Sequence, residues 1–251
     1  MECYYPIVGF RGDDGVVRFH QRVAGDTMEI RCGRCIGCRI TKAQGWAVRL
    51  VHESRLYDES CFVTLTFADD QLPDTSVSWY PVFQKFMKRL RRRYSGREIS
   101  YFVVGEYGEQ FSRPHFHALI FGVSFPFDRL AGQDSGVPYY QSRELDKLWS
   151  HGFASVGTFT PESAGYVARY SLKKVLGQAA SDHYKRVDSD TGEVFDVVPE
   201  FCHMSLKRGG IGVRFFERFP SDFEDGFAVL NGSRVPLPLI YRRKLAKAGG
   251  D

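Results

Sequence analysis

The chain has 251 residues and a mass of 28.6 kDa, room for one large domain or two small ones at roughly 150 residues each. With 43% hydrophobic and 25% charged residues it can bury a sizeable core, which excludes disorder as its overall state. The formal charge of +4 is mild, no apolar run approaches the roughly 18–20 residues of a bilayer span, and residues 1–6 lack the basic and apolar segments of a secretory signal, so a reducing cytosol is expected.

Residues 1–45 are rich in Gly, Arg and Cys. Cys32, Cys35 and Cys38 form a C-x2-C-x2-C run, and Cys3 lies upstream. In a reducing compartment, clustered thiols point to metal more than to disulfides. Two-residue spacing lets neighbouring sulfurs converge on one ion, with Gly33 and Gly37 permitting the tight turns. A ferredoxin-like iron–sulfur run would place another cysteine where Lys42 stands. The expectation is structural Zn2+ on Cys3, Cys32, Cys35 and Cys38; reduced thiols in a turn are the alternative.

The spacing of Trp46, Leu50 and Tyr57 predicts a helix over 44–57. Residues 61–67 (CFVTLTF) read as a strand, closed by Asp69, Asp70 and Pro73. Val82, Phe83, Phe86, Met87, Leu90 and Tyr94 then recur at helical spacing. Lys85, Lys88, Arg89, Arg91, Arg92 and Arg93 fill the other side, a basic face suited to phosphates or simply to water. Residues 99–107 form a second predicted strand, 108–113 a turn and 114–122 a third strand. The Gly, Pro and Asp of 126–141 predict a loop, 142–150 a helix and 153–159 a short strand. A helix over 161–176 has Thr160 as N-cap, Pro161 at its first position, Glu162 in its first turn and Gly177 after its end. Residues 178–200 read as a polar loop or flap. The rest is irregular, broken at Val235-Pro236-Leu237-Pro238 and ending in a basic tail over 241–247. This order predicts an α+β fold with a mostly antiparallel central sheet and packed helices, plus a small Cys-rich zinc element.

His115 and His117 are separated by one residue in the third strand, so both imidazoles face the same way, while Phe116, Ala118 and Ile120 face the other. Two imidazoles and a carboxylate make a half-open metal site. Antiparallel pairing across 108–113 would bring Glu106 near His115, while Glu109 reads as solvated turn. The pair alone is equally compatible with two satisfied histidines. Tyr166 and Tyr170, four residues apart, share one helix face with Lys173, and Lys174 lies at its edge. Ala164, Ala168, Ser171, Leu172 and Val175 make the opposite, core-facing side, so the tyrosine face is not required for the core. A phenol with a pKa near 10 becomes a useful nucleophile beside a cation and a metal-polarised electrophile.

Three ordered motifs carry a family resemblance: FVTLTF at 62–67, RPHFH at 113–117 preceded by GEYG at 105–108, and YVARY at 166–170 followed by Lys173. With the C-G-x-C-x-x-C-R element, they resemble the His-hydrophobic-His endonucleases, specifically the rolling-circle initiators of microvirus or gokushovirus type. The match covers residues 1–177.

The resemblance implies Mg2+ or Mn2+ on His115, His117 and Glu106. It implies attack by Tyr166 or Tyr170 on single-stranded origin DNA, leaving a 5′-phosphotyrosyl link and a free 3′-OH, with Lys173 stabilising charge. Thr64 and Thr66 are assigned structural roles. Lys85, Lys88, Arg89, Arg92, Arg93, Arg113, Arg169 and Lys174 are the expected DNA contacts. The implied partners are a host DNA polymerase and helicase in the cytoplasm of an infected bacterium, with no membrane and no nucleotide cofactor, since no P-loop motif occurs. Plasmid relaxases and single-strand transposases share the metal motif, and a non-catalytic zinc-containing nucleic-acid-binding module is the reading from a different class.

The expected division is 1–45 Cys-rich element, 46–177 catalytic domain and 178–251 C-terminal region. Segments 31–49, 85–97 and 234–250 hold 5, 7 and 5 basic residues and no acid, half of the 34 in the chain. Such concentrated cations suit a phosphate backbone better than the mild average suggests.

Overall fold

The computed structural model describes residues 2–12, 14–20, 26–108, 112–134, 136–170, 172–175, 179–188 and 191–248. The chain opens with a small antiparallel sheet of β1 (Ile7–Arg11), β2 (Val17–Arg18) and β3 (Asp26–Ile30), in the order β2-β1-β3. Helix α1 (Ile36–Ser54) begins eight residues before the predicted start at 44. Its N-cap is Cys35, whose sulfur accepts the Cys38 N–H at 3.5 Å. The cysteine run therefore ends inside the first turn of a long helix, a cap that propensity rules do not signal.

Next come β4 (Ser60–Phe67), α2 (Tyr80–Arg93), β5 (Ser100–Tyr107), β6 (Pro114–Phe121), β7 (Arg129–Asp134), β8 (Val137–Gln141), α3 (Arg143–Trp149), β9 (Gly152–Thr158) and α4 (Pro161–Tyr170). They are followed by α5 (Ala180–His183), β10 (Lys185–Val187), β11 (Val194–Asp196), β12 (Phe201–Met204), α6 (Val213–Arg218), β13 (Phe227–Leu230), β14 (Ser233–Pro236) and α7 (Leu239–Ala248). The central sheet has seven strands in the order β12-β5-β6-β4-β9-β8-β7, and every pairing is antiparallel. The fold is α+β, as the element order predicts.

Several local expectations are corrected. Residues 126–141 are not a loop: β7 and β8 form a hairpin at the sheet edge. Helix α4 stops at Tyr170 instead of running to 176, because Leu172 and Lys173 donate to the carbonyls three residues back, of Arg169 and Tyr170, which tightens the last turn. The positions assigned to Ser171 and Gly177 lie outside the described residues, as does Glu109. Residues 178–200 contain α5 and the β10–β11 hairpin. Val235-Pro236 belongs to β14, in a two-stranded ribbon whose edges tolerate proline. The basic tail is helical because Tyr241 anchors it, fully buried beside Phe216, Phe223 and His52.

The sheet is buried on both faces over β5 and β6. Phe116, Ala118 and Ile120 of β6 join Val63, Leu65, Phe83, Phe86, Leu90 and Trp149 on the side of α2 and α3. Leu119 and Phe121 join Phe102, Val104, Leu50, Ala164, Val167 and Ala168 on the side of α1 and α4. Each of these large side chains contributes about 1.5–3 kcal/mol on full burial. Strand β12 completes the edge beside β5, where Phe201 lies over Gly105; a Cβ there would come within 2.4 Å of the ring.

Candidate metal and tyrosine site

The β5–β6 pairing sets Glu106 directly opposite His115, and β6 pairs His115 with Thr66 and His117 with Thr64 on β4. Glu106, His115 and His117 point from the α1/α4 face of the sheet. His115 Nε2 lies 2.9 Å from Glu106 Oε1 and 3.2 Å from His117 Nε2, and His117 Nε2 lies 3.2 Å from the same oxygen. Ligands about 2.1 Å from an octahedral ion are about 3.0 Å apart along an edge, so this triangle has the size of one octahedral face.

The outer nitrogens are engaged. His115 Nδ1 is 3.1 Å from the Arg113 carbonyl, and His117 Nδ1 is 3.0 Å from Thr64 Oγ1. A proton on each Nδ1 satisfies both contacts and leaves two Nε2 lone pairs and a carboxylate facing one another. That arrangement is repulsive unless a cation joins it, so the group can hold a metal ion. Burial pushes the Glu106 carboxyl up, but hydrogen bonds from His115 and His117 outweigh it and hold it down at about 2. Burial likewise lowers His117 against the opposing pull of Glu106, which favours the neutral, ligating imidazole.

Helix α4 lays the two tyrosines on this group. Thr160 caps the helix as expected: its Oγ1 accepts the Ser163 N–H, and Ser163 Oγ accepts the Thr160 N–H. Ala164, Val167 and Ala168 face the core. Tyr170 stacks on His117 at 4.9 Å between centroids, and Tyr166 meets the same ring edge-on at 5.7 Å. The Tyr170 hydroxyl donates to that of Tyr166. Both tyrosines are half-buried and pack beside the core, so the expectation of a face free of packing duty is corrected. Burial raises both phenols, Tyr170 further because the Tyr166 hydrogen bond and the Glu106 charge add to it. At neutral pH both are protonated. Lys173 arrives from the turn after α4 rather than from a fifth helical turn. Its Nζ lies 3.2 Å from Glu106 Oε2 and 4.3 Å from the centre of the Tyr170 ring.

The four cysteines Cys3, Cys32, Cys35 and Cys38 form a second group, with sulfurs within 4.8 Å of one another. Two of the pairs, Cys32–Cys38 and Cys3–Cys35, are 4.0 Å apart. Tetrahedral zinc with Zn–S of about 2.3 Å places sulfurs about 3.8 Å apart, so the cluster fits zinc. Backbone N–H groups of Tyr4 and Cys38 point at Cys35 Sγ and lower its thiol to about 6, while those of Cys35 and Arg34 lower Cys32. Such donors stabilise thiolates and so favour a metal over protons.

The expected DNA contacts divide. Lys85, Lys88 and Arg92 are exposed on α2, but α2 packs on the opposite face of the sheet from the histidines. Arg89 is spent inside the fold, donating to the Leu148 and Trp149 carbonyls at 2.7 and 2.9 Å; Arg93 pairs with Glu144 at 2.8 Å. Arg113 ties the histidine strand to the end of β4 through the Phe67 carbonyl, at 2.7 Å, and Asp69. Arg169 is exposed above Tyr166, and Lys174 lies beside Tyr170, so these two do reach the site. Thr64 is the residue the sequence reading undervalued: alternation places it on the histidine face, but only the β4–β6 register shows that it meets His117.

The family model for the ORF2 type of replication-associated protein matches residues 60–175, which span β4 to the turn after α4. The replication-associated protein VP4 of Bdellovibrio phage phiMH2K is 33% identical over 256 residues, covering 96% of this chain and 76% of the relative. The replication-associated protein ORF2 of Spiroplasma virus 4 is 30% identical, covering 74% of this chain and 57% of the relative. The replication-associated protein ORF4 of Chlamydia phage 1 is 32% identical, covering 91% and 56%. The chain thus spans little more than half the length of the last two. No solved structure matches it. On these matches, and with a microvirus-type set of relatives, the chain belongs to the replication-associated protein ORF2 family.

Proposed function

We propose that the chain is a replication initiator that nicks single-stranded origin DNA through a tyrosine. The observation that carries this reading is the stacking of Tyr166 and Tyr170 on His117, one ligand of a Glu-His-His group able to hold a metal. His115, His117 and Glu106 would hold Mg2+ or Mn2+, which supplies positive charge to a non-bridging oxygen of the scissile phosphate. One phenol oxygen bonds to phosphorus, the P–O3′ bond breaks, and the phenol proton ends on the departing 3′-OH. Lys173, beside Tyr170 and Glu106, offsets the charge that develops on the phenol oxygen. The 5′-phosphotyrosyl link keeps the phosphodiester bond energy, so reversal rejoins the strand. The second tyrosine allows a second cleavage after one round.

In this reading the unit over 46–177 does the chemistry, the element over 1–45 is held by zinc, and 178–251 supports the sheet edge. Exposed cations on α2 would follow flanking phosphates around the back of the sheet. A host polymerase would extend the 3′-OH and a host helicase would open the duplex, in the cytoplasm of the infected cell. Among the described residues no helix is long and apolar enough to cross a membrane. The test is covalent chemistry. Origin single strands with Mn2+ should give a protein–DNA adduct that survives denaturation, and Tyr166→Phe/Tyr170→Phe should abolish it. An adduct in the double variant, or normal cleavage by His115→Ala/His117→Ala, sinks the mechanism.

A further inference from the structure

The histidine face of the sheet is only half covered. Helices α1 and α4 pack over β5 and β6, and beyond them β4, β9 and the β7–β8 hairpin border an open cleft of about 880 Å³. That is toward the upper end of the roughly 300–1,000 Å³ of ligand pockets. The cleft starts at His117 and Tyr166 and runs to the hairpin. Its chemistry is unlike that of a phosphate channel. Among the described residues lining it there is no lysine or arginine, and Asp134 is the one acid. It presents instead the rings of Phe62, Phe153 and Tyr139 and the side-chain amides of Gln133 and Gln141.

Phe153 is the most telling of these. It is 71% exposed, although it sits in a central strand. The register aligns Glu106, His115, Thr66 and Phe153 in one row across β5, β6, β4 and β9. With strands about 4.8 Å apart, Phe153 is two strands, about 10 Å, from His115. Tyr139 lies against Gly132 on the facing strand, where a Cβ would approach its hydroxyl to 2.5 Å. The glycine thus makes room for the second ring. A backbone phosphate gains nothing from this lining, whereas an unstacked base finds aromatic faces for its own face and amides for its edge.

We propose that this cleft is a nucleobase subsite. It takes unstacked bases of the single strand next to the reacting phosphate, with Phe153 as stacking platform and Gln133 and Gln141 against the base edges. The proposal rests on the function above only for the position of that phosphate.

The test uses the full chain carrying Tyr166→Phe and Tyr170→Phe, in EDTA, so that neither cleavage nor metal is needed. Binding of a fluorescent oligothymidylate is followed by anisotropy over a range of salt. Phe153→Ala should lose about 5- to 150-fold in affinity, the equivalent of roughly 1–3 kcal/mol per stacked base, with the salt slope unchanged. Phe153→Trp should bind like the parent. Ultraviolet cross-linking of an oligothymidylate carrying 5-iododeoxyuridine should label Phe153 or Tyr139. Unchanged affinity in Phe153→Ala, or cross-links confined to α2, overturns the subsite. Wild-type protein that binds through Phe153 yet forms no adduct with Mn2+ would leave the subsite standing and remove the nicking mechanism.

Discussion

Thr64 offers a direct test of the metal reading. Its hydroxyl is 3.0 Å from His117 Nδ1, and His117 is only 7% exposed, so water cannot replace it. Thr64→Val keeps the shape and removes the acceptor. The Nδ1–H is then buried without a partner, at a cost of about 1–3 kcal/mol. The ring escapes that cost by moving its proton to Nε2, which lies 3.2 Å from Glu106 Oε1. In that tautomer Nε2 offers no lone pair to an ion. Removing an outer partner of a ligating histidine typically lowers metal affinity about 10–100-fold, or about 1.4–2.7 kcal/mol. The expected result is a rise of that size in the Mn2+ dissociation constant, read from the spin-resonance signal of free Mn2+. Thr64→Ser should stay near the parent, and nitrogen NMR should report the tautomer change only in Thr64→Val. If Thr64→Val binds Mn2+ as tightly as the parent, His117 is not oriented this way for an ion.

Three further outcomes follow from the same geometry. Purified protein should carry one zinc per chain, Cys35→Ser should lose it, and amide exchange should then accelerate over 32–43 but not over 100–121; a folded, metal-free wild type refutes the zinc site. Lys173→Met should slow adduct formation about 100-fold while DNA affinity in EDTA stays near the parent, because the lysine acts on developing charge; an unchanged single-turnover rate removes its role. Burial, reinforced by the Arg55 charge, holds His52 down at about 4 against an ordinary 6.5. The unfolded chain therefore binds this proton first, so the stability tied to His52 is complete above pH about 6.5 and falls as pH drops toward about 4, by about 3 kcal/mol in total. Urea unfolding of His52→Gln should show a shallower decline across that window than wild type, and equal slopes would refute the assignment.

The legible parts of the chain are those whose pattern and contacts are local. Residues 100–121 read as two strands and a short turn, and because the turn is short the register follows, which is why Glu106 meets His115 as expected. The tyrosine pair is legible from its four-residue spacing, and Thr160 from its place before Pro161. What was hidden depends on partners far along the chain. The Gly, Pro and Asp of 126–141 resemble a loop, yet β7 and β8 are edge strands, where exposure relaxes the alternation that marks a buried strand. β12 gives no signal of its own length, because Phe201 is explained only by the space above Gly105. The α2 cations are visible in composition, but which side of the sheet they occupy is decided by where Phe83, Phe86 and Leu90 pack.

That last point links the core to the chemistry. Phe116 stands between the two histidines in β6 and points to the other face, fully buried 4.6 Å from Trp79 and 5.3 Å from Phe83 between ring centroids. Trp149 closes the same cluster at 5.8 Å and donates its indole N–H to the Thr66 carbonyl at 2.9 Å, in the strand that pairs with His115. A slip of β6 by one residue would exchange Phe116 with the histidines and put both imidazoles into this aromatic core. Burying two imidazoles there without partners costs several kcal/mol, beyond the loss of aromatic packing. The apolar residues of α2 and α3 therefore do more than fill the back of the sheet. By fixing the register of β6 from behind, they hold two histidine nitrogens 3.2 Å apart on the front. The basic side of α2 must then face outward, away from the site, because its apolar side is committed to this task.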